Sequence, residues 1–311
     1  MESLLDPITV AIIRTPPETS VELIHFRHST SAKESTQCRL YYTPTDGSKH
    51  LSPPQEAEEN AFLNSSEELD ILPQPDIIFN HGHRNGLDVA SLVAFSEGFA
   101  RTQTCLSFVD FGDLEHRTST FRSLMSAFPS AAVGGRSYGS RSSCRAAIWS
   151  PVRKLIFFTY PLVRGIDERY EELLQLSSDV DVLFVVGDSD PLCVEMHLAA
   201  IRKRMRARTW WIRVIGADHQ FSMRGNNGAG TKLCNVAGQI AAKWNVEGGR
   251  DLEKTELTLQ YDKVNKQSVW TEWFAHPDLK KVSEKPITVT ITLSGGSLPA
   301  AGEEFAHTLS R

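Results

Sequence analysis

The feature that most constrains the fold is a regular alternation of short apolar runs and longer amphipathic stretches between residues 76 and 246. The apolar runs predict strands at 76–80, 104–109, 131–134, 154–160, 181–186 and 209–215, and the stretches between them predict helices near 88–100, 117–127, 138–149, 167–178, 193–207 and 231–244. Short connections of this kind are typical of a parallel sheet with helices on both faces. The sequence therefore predicts an α/β fold.

The third predicted strand leads directly into a Gly-Arg-Ser-Tyr-Gly motif at residues 135–139. The G-x-S-x-G pattern is typical of a sharp turn between a strand and a helix, which holds a serine clear of the rest of the chain. A serine hydroxyl is a poor nucleophile unless a nearby base takes its proton, so it has to stand where an imidazole can reach it. Ser137 is our candidate nucleophile; the alternative is a serine in a glycine-rich helix entry.

An acid and a histidine follow later strands of the same series. The run Gly-Asp-Ser-Asp-Pro occupies residues 187–191, and Ala-Asp-His occupies residues 217–219. The chain order Ser, Asp, His is that of the α/β-hydrolases. His219 is the candidate base, which would accept the proton of Ser137. Asp190 is the candidate for orienting the imidazole, and Asp188 remains the alternative.

The first predicted strand ends in His81-Gly82, where this type of fold places a loop that stabilises an oxyanion. We expect the oxyanion hole to consist of the backbone N–H groups of Tyr138 and His83. The two histidines that flank Gly82 also suggest metal binding, but no carboxylate or cysteine lies at ligand spacing from them. We therefore predict neither a metal nor a cofactor.

Composition limits the partners and the compartment. A net charge of -5 and a pI near 6.1 argue against a nucleic-acid-binding surface. The basic cluster at 202–208 fits the charged last turn of a helix. The five cysteines lack C-x-x-C spacing, which favours a reducing compartment. No signal peptide or membrane segment is visible, so we expect a cytoplasmic or nuclear protein without a membrane or nucleic-acid partner.

The chain divides into a domain at 1–250 and a C-terminal extension at 251–311. Residues 8–43 resemble antiparallel strands at the leading edge of the sheet, and residues 44–75 form an insertion rich in Pro, Ser and acidic residues. In the extension, alternating residues at 257–261 and 287–293 predict half-exposed strands. We expect them to form a small accessory β element.

The segments around Ser137, Asp190 and His219, together with Thr-Tyr-Pro-Leu at 159–162, resemble a family of α/β-hydrolase-like proteins. That family includes the testis-expressed member and the third regulatory subunit of the non-specific-lethal histone acetyltransferase complex. The resemblance covers about residues 76–245. It implies a dienelactone-hydrolase-like core with these three residues in the triad positions and no large cap domain. The chain departs from the family at residues 83–85, where His, Arg and Asn replace small residues.

Two functions fit these observations. The first is a serine hydrolase that acts on a small-molecule acyl substrate, an ester, thioester or amide, through an acyl-enzyme. The second is a catalytically weak or inactive scaffold, which would bind protein partners through the insertion or the extension. The ordered Ser, Asp and His favour the enzyme, whereas the bulky residues at 83–85 and the acidic insertion favour the scaffold. Arg136 and Arg141 would either attract an anionic acyl group or pair with acids at the helix entry.

Overall fold

The computed structural model describes residues 10–13, 21–31, 34–43, 73–84, 86–164, 167–225, 228–248 and 252–275. Most of the predicted insertion at 44–75 lies outside these residues, as do the predicted strand at 287–293 and Asn85 of the loop after the first predicted strand. Within the described part, no helix is both long enough and apolar enough to cross a membrane.

The described residues form an eleven-stranded sheet, a two-stranded hairpin and six helices. The strands are β1 Val10–Ile13, β2 Glu22–Ser31, β3 Glu34–Tyr42, β4 Ile77–Asn80, β5 Cys105–Phe108, β6 Ala132–Arg136, β7 Lys154–Phe158, β8 Val163–Arg164, β9 Asp167–Glu168, β10 Asp181–Gly187, β11 Arg208–Val214, β12 Glu256–Asp262 and β13 Gln267–Trp270. The helices are α1 Ala90–Ala100, α2 Leu114–Ala127, α3 Tyr138–Ala147, α4 Glu171–Gln175, α5 Glu195–Arg204 and α6 Ala229–Glu247.

The large sheet is mostly parallel, as the alternation of strands and helices predicts. Its strand order is β1-β2-β3-β5-β4-β6-β7-β10-β11-β12-β13. The seven strands from β5 to β12 pair in parallel. Antiparallel strands flank them, β1 to β3 at one edge and β13 at the other. The carboxyl ends of β4, β6, β10 and β11 therefore meet at one edge of the sheet, where open α/β sheets bind ligands.

The core consists of two apolar clusters, one on each face of the sheet. Successive side chains of a strand point to opposite faces, so Leu155 and Phe157 of β7 belong to one cluster, and Ile156 and Phe158 belong to the other. Helices α2 to α5 cover the first face, and α1 and α6 cover the second. The central strands are buried on both faces, which explains why they appear in the sequence as continuous apolar runs.

The connection after β7 differs from the sequence prediction of a helix over 167–178. Its first part forms the hairpin β8–β9, and α4 is five residues long. The Tyr160 hydroxyl donates to the Arg169 carbonyl at 3.0 Å, and the Arg169 N–H donates to the Leu162 carbonyl at 2.7 Å, so the hairpin folds back onto the end of the strand. The described residues of this connection contain no large cap domain.

The predicted strand at 257–261 lies within β12. We expected it to contribute to a small accessory β element; in the structure β12 pairs in parallel with β11, and β13 pairs antiparallel with β12, so both extend the central sheet. Glu256 of β12 forms a buried ion pair with Arg202 of α5, and this pair ties the strand to the helical layer. The division of the chain near residue 250 stays a prediction.

Candidate active site

Ser137 occupies the turn between β6 and α3, in a conformation that few residues other than glycine adopt. Its φ is +52°, and its N–H donates to the Phe158 carbonyl at 2.9 Å. A side chain on Gly135 would collide with the backbone of Gly139, and one on Gly139 would collide with the carbonyl of Asn80. The two glycines therefore allow the tight turn that presents Ser137.

Ser137, His219 and Asp190 are joined by hydrogen bonds. The Oγ of Ser137 lies 2.8 Å from the Nε2 of His219, and the Nδ1 of His219 lies 2.8 Å from the Oδ2 of Asp190. The Asp190 side chain is fully buried, and its Oδ1 accepts the N–H of Leu192 at 2.8 Å. One carboxylate oxygen is thus held by the backbone, which leaves the other to fix the imidazole.

The two other aspartates near the histidine bind backbone groups. The Oδ1 of Asp188 accepts the N–H of Gly216 at 2.7 Å, which links the loop after β10 to the loop after β11. The Oδ1 of Asp218 accepts the N–H groups of Gln220 and Ser222, both at 2.8 Å. The structure therefore brings Asp190 to the imidazole, while Asp188 shapes the loop that carries His219.

Arg136 lies directly before Ser137. From the sequence we expected it either to attract an anionic acyl group or to pair with acids at the helix entry, and its contacts in the structure are different. Its guanidinium is buried and donates to the His219 carbonyl at 3.1 Å and to the Oε1 of Gln220 at 2.6 Å. Burial lowers its pKa. Arg136 therefore supports the histidine loop, whereas Arg141 lies 3.6 Å from Glu172 of α4, an acid on another helix.

A second buried arginine, Arg117 of α2, holds the loop after β4. Its Nη1 donates to the Asn80 Oδ1 and to the carbonyls of His81 and Gly82, each at 3.1 Å, and its Nη2 donates to the His83 carbonyl at 2.9 Å. We did not identify Arg117 from the sequence. The signal that could have identified it is its spacing, since it shares a helix face with the buried Phe121 and Leu124 at i+4 and i+7.

The Arg117 contacts determine which way the loop's amides face. Three successive carbonyls converge on one guanidinium, so the N–H groups of the same peptides point away from it. A Cβ on Gly82 would lie 3.8 Å from the Cβ of Ser137, which places the loop beside the serine. Among the described residues, neither the N–H of His83 nor that of Tyr138 donates a hydrogen bond to another protein group. The ring of His83 lies 5.3 Å from that of Tyr138.

His81 is neutral at neutral pH. Its Nε2 accepts the N–H of Asp110 at 3.0 Å, so its proton lies on Nδ1, which donates to the Gly82 carbonyl. Burial, with the positive charge of Arg117, lowers the pKa of His81 to about 4. The described residues contain no group of three or more His, Cys, Asp or Glu side chains that could hold a metal ion.

Parts of this chain are similar to known proteins. Residues 113–244 match the model of a family described as an alpha/beta hydrolase domain. Est1E from Butyrivibrio proteoclasticus superposes with a TM-score of 0.50 at 13% identity, over 72% of this chain and 99% of that one. The esterase domain of a Rhodothermus marinus protein gives a TM-score of 0.49 at 14% identity, over 72% and 97%.

A third structure, an alpha-beta serine hydrolase homologue from Coxiella burnetii, gives a TM-score of 0.47 at 11% identity, over 76% of this chain and 98% of that one. None of the curated protein sequences matches the chain. The family match spans the segment from the start of α2 to α6, which includes Ser137, Asp190 and His219. Together with the family match over residues 113–244, the sheet topology shows that this chain has the α/β-hydrolase fold.

Proposed function

We propose that this protein is a serine hydrolase that cleaves a small ester, thioester or amide through an acyl-enzyme intermediate. The observation that carries the proposal is the pair of 2.8 Å contacts from Ser137 to His219 and from His219 to Asp190, at a serine held on a strained turn. The match of residues 113–244 to an alpha/beta hydrolase domain supports a hydrolase.

In the proposed mechanism, the Oγ of Ser137 bonds to the carbonyl carbon of the substrate while its proton moves to the Nε2 of His219. When the tetrahedral intermediate collapses, the bond to the leaving group breaks, and His219 gives the proton to that group. Water then attacks the acyl-enzyme with the same help from His219, which releases the carboxylic acid and restores Ser137. Asp190 keeps the proton on Nδ1 of the neutral imidazole and stabilises the imidazolium that forms.

The backbone N–H groups of Tyr138 and His83 would stabilise the oxyanion. Fixed amides need no reorganisation as charge develops, so they favour the transition state over the bound substrate. Tyr138 is the first residue of α3, where the helix dipole adds to this effect. Arg117 would position the second amide, because it binds the carbonyls of His81, Gly82 and His83, each on the side of the peptide opposite its N–H.

A fluorophosphonate probe tests the proposal directly. Intact-mass measurement of the folded protein should show a single adduct, which is lost in Ser137→Ala and His219→Ala. Ser126→Ala, which alters an exposed serine on α2, should label like the wild type. A folded wild-type protein that stays unlabelled would contradict the hydrolase and favour the scaffold.

A further inference from the structure

Arginines lie on both sides of the strand that carries Ser137. Arg84 follows β4, while Arg164 and Arg169 belong to the hairpin segment that follows β7. In the sheet, β4 and β7 are the two neighbours of β6. All three arginines therefore lie at the carboxyl edge of the sheet and flank Ser137.

The positive charge of these side chains reaches the loop beside the serine. The His83 ring lies 5.3 Å from the ring of Tyr138, the residue next to Ser137. Desolvation lowers the pKa of His83, and the charges of Arg84, Arg117, Arg164 and Arg169 lower it further. The guanidinium of Arg117 lies 4.8 Å from the centre of the Tyr138 ring. Four positive charges therefore act on this loop, although the whole chain carries a net charge of -5.

The arginines around the site differ in their partners. Arg117 is fully buried on backbone carbonyls, and Arg141 pairs with Glu172. By contrast, Arg84, Arg164 and Arg169 have no carboxylate oxygen within 4.0 Å among the described residues. Asp167 faces Arg164 in the hairpin register and partly offsets the charge there. Arg84 and Arg164 are exposed and Arg169 is half-buried, so all three side chains can meet a solute.

The position that the leaving group has to occupy indicates which part of the substrate lies near these arginines. The leaving group has to lie at the Nε2 of His219, which follows β11, because it takes its proton there. The arginines follow β4 and β7, and β7 is separated from β11 by β10. The acyl group, on the side away from the histidine, is therefore the part that extends towards them.

We propose that the enzyme selects acyl substrates that carry a second, anionic group, a carboxylate, which Arg84, Arg164 and Arg169 bind. This inference rests on the proposed serine hydrolase and names its substrate class. Guanidinium groups suit the role because their planar donors match the two oxygens of a carboxylate. A positive entrance also raises the rate at which an anionic substrate arrives.

Two esters with acyl chains of equal length test the selection. The mono-4-nitrophenyl ester of adipic acid ends in a carboxylate, whereas 4-nitrophenyl hexanoate ends in a methyl group. We expect kcat/KM to favour the adipate ester by roughly tenfold, and high salt to reduce this ratio. Arg164→Gln and Arg169→Gln should each lower the ratio by about twofold, the effect of losing one partly exposed ion pair. Arg153→Gln, which alters an exposed arginine at the amino end of β7, should leave both rates unchanged.

Binding without turnover gives a second readout. Adipate should raise the thermal midpoint of the wild type more than hexanoate does, and the double variant Arg164→Gln/Arg169→Gln should lose this difference. Equal kcat/KM for the two esters, or a ratio that the arginine variants do not change, would overturn the proposed selection of anionic substrates. Fluorophosphonate labelling of Ser137 in the same protein would still support the serine hydrolase. If the wild type is not labelled but adipate still stabilises it more than hexanoate does, the hydrolase is wrong and the anion site is retained.

Discussion

At the scale of single residues, the two aspartates after β10 make different bonds and should respond differently to the same substitution. Asp190→Asn should lower kcat by about 10⁴-fold, because an amide can hold the wrong imidazole tautomer and cannot stabilise the imidazolium. Asp188→Asn should cost far less, since an amide oxygen can still accept the Gly216 N–H. Steady-state kinetics on one ester measure both effects, and a reversed ranking would transfer the role to Asp188.

Arg117 provides a second prediction at this scale. Arg117→Met removes the guanidinium that binds the carbonyls of residues 81–83, so the His83 amide should lose its fixed position. Since deleting one oxyanion donor costs about 10²-fold or more in kcat, we expect a loss of that order with a smaller change in KM. The rate of fluorophosphonate labelling should fall in parallel.

Arg122→Met is the matched control for Arg117, because Arg122 lies on the exposed face of the same helix. It should keep wild-type kinetics. Arg117→Lys tests geometry against charge, since one ammonium cannot reach all the acceptors that a guanidinium spans. If the lysine variant recovers full kcat, the positive charge alone is sufficient, and the positioning role is wrong.

At the scale of elements, the ion pair between Arg202 of α5 and Glu256 of β12 connects the C-terminal strands to the helical layer. Both side chains are almost fully buried. Glu256→Gln leaves a buried charge without its partner, so it should lower the free energy of unfolding by about 3 kcal/mol or more. Asp179→Asn, which breaks the exposed pair with Arg153, should cost no more than about 1 kcal/mol. Urea titrations compare the two variants; equal effects would mean that water reaches the Arg202 pair.

The strands and helices that the sequence predicted well are those with enough residues to show a pattern. Strands β4 to β7, β10 and β11 appear as apolar runs because helices cover both faces. The hairpin β8–β9 and the short α4 have too few residues for a period to be visible. The alternation at 257–261 identified a strand, but it carries no information on which strand is its partner.

In the candidate site, too, the residues that the sequence predicted are those with a local pattern. Ser137, Asp190 and His219 were visible because their spacing from strand ends and glycines is a local property of the chain. Arg117 and Arg136 bind carbonyls that are distant from them in the sequence. The spacing of residues along the chain does not indicate which distant carbonyls an arginine will bind. The roles of these residues in catalysis stay predictions.

At the scale of the whole molecule, the position of β5 between β3 and β4 determines the distance that the segment joining β3 to β4 has to span. Tyr41 of β3 and Ile77 of β4 both pair with Cys105 of β5, so the two ends lie on either side of one strand. At about 4.8 Å between neighbouring strands, the gap is about 10 Å. A short Gly/Ser linker in place of residues 45–72 should therefore leave the thermal midpoint within a few degrees of the wild type. A larger fall in calorimetry would mean that the segment packs on the core.

The two apolar clusters on either face of the sheet also determine how the molecule should exchange its amide hydrogens. The amides of β6, β7 and β10 are covered by side chains above and below, so solvent deuterium can reach them only when the whole domain opens. The loops at the carboxyl edge can open locally and exchange far sooner. The Ser137 amide, bonded to Phe158 of β7, belongs with the slow group, whereas the peptides around His83 and Arg84 belong with the fast one. Ser137, the proposed nucleophile, is thus anchored in the slowest-opening part of the protein, whereas the His83 N–H, which has no acceptor among the described residues, should exchange early.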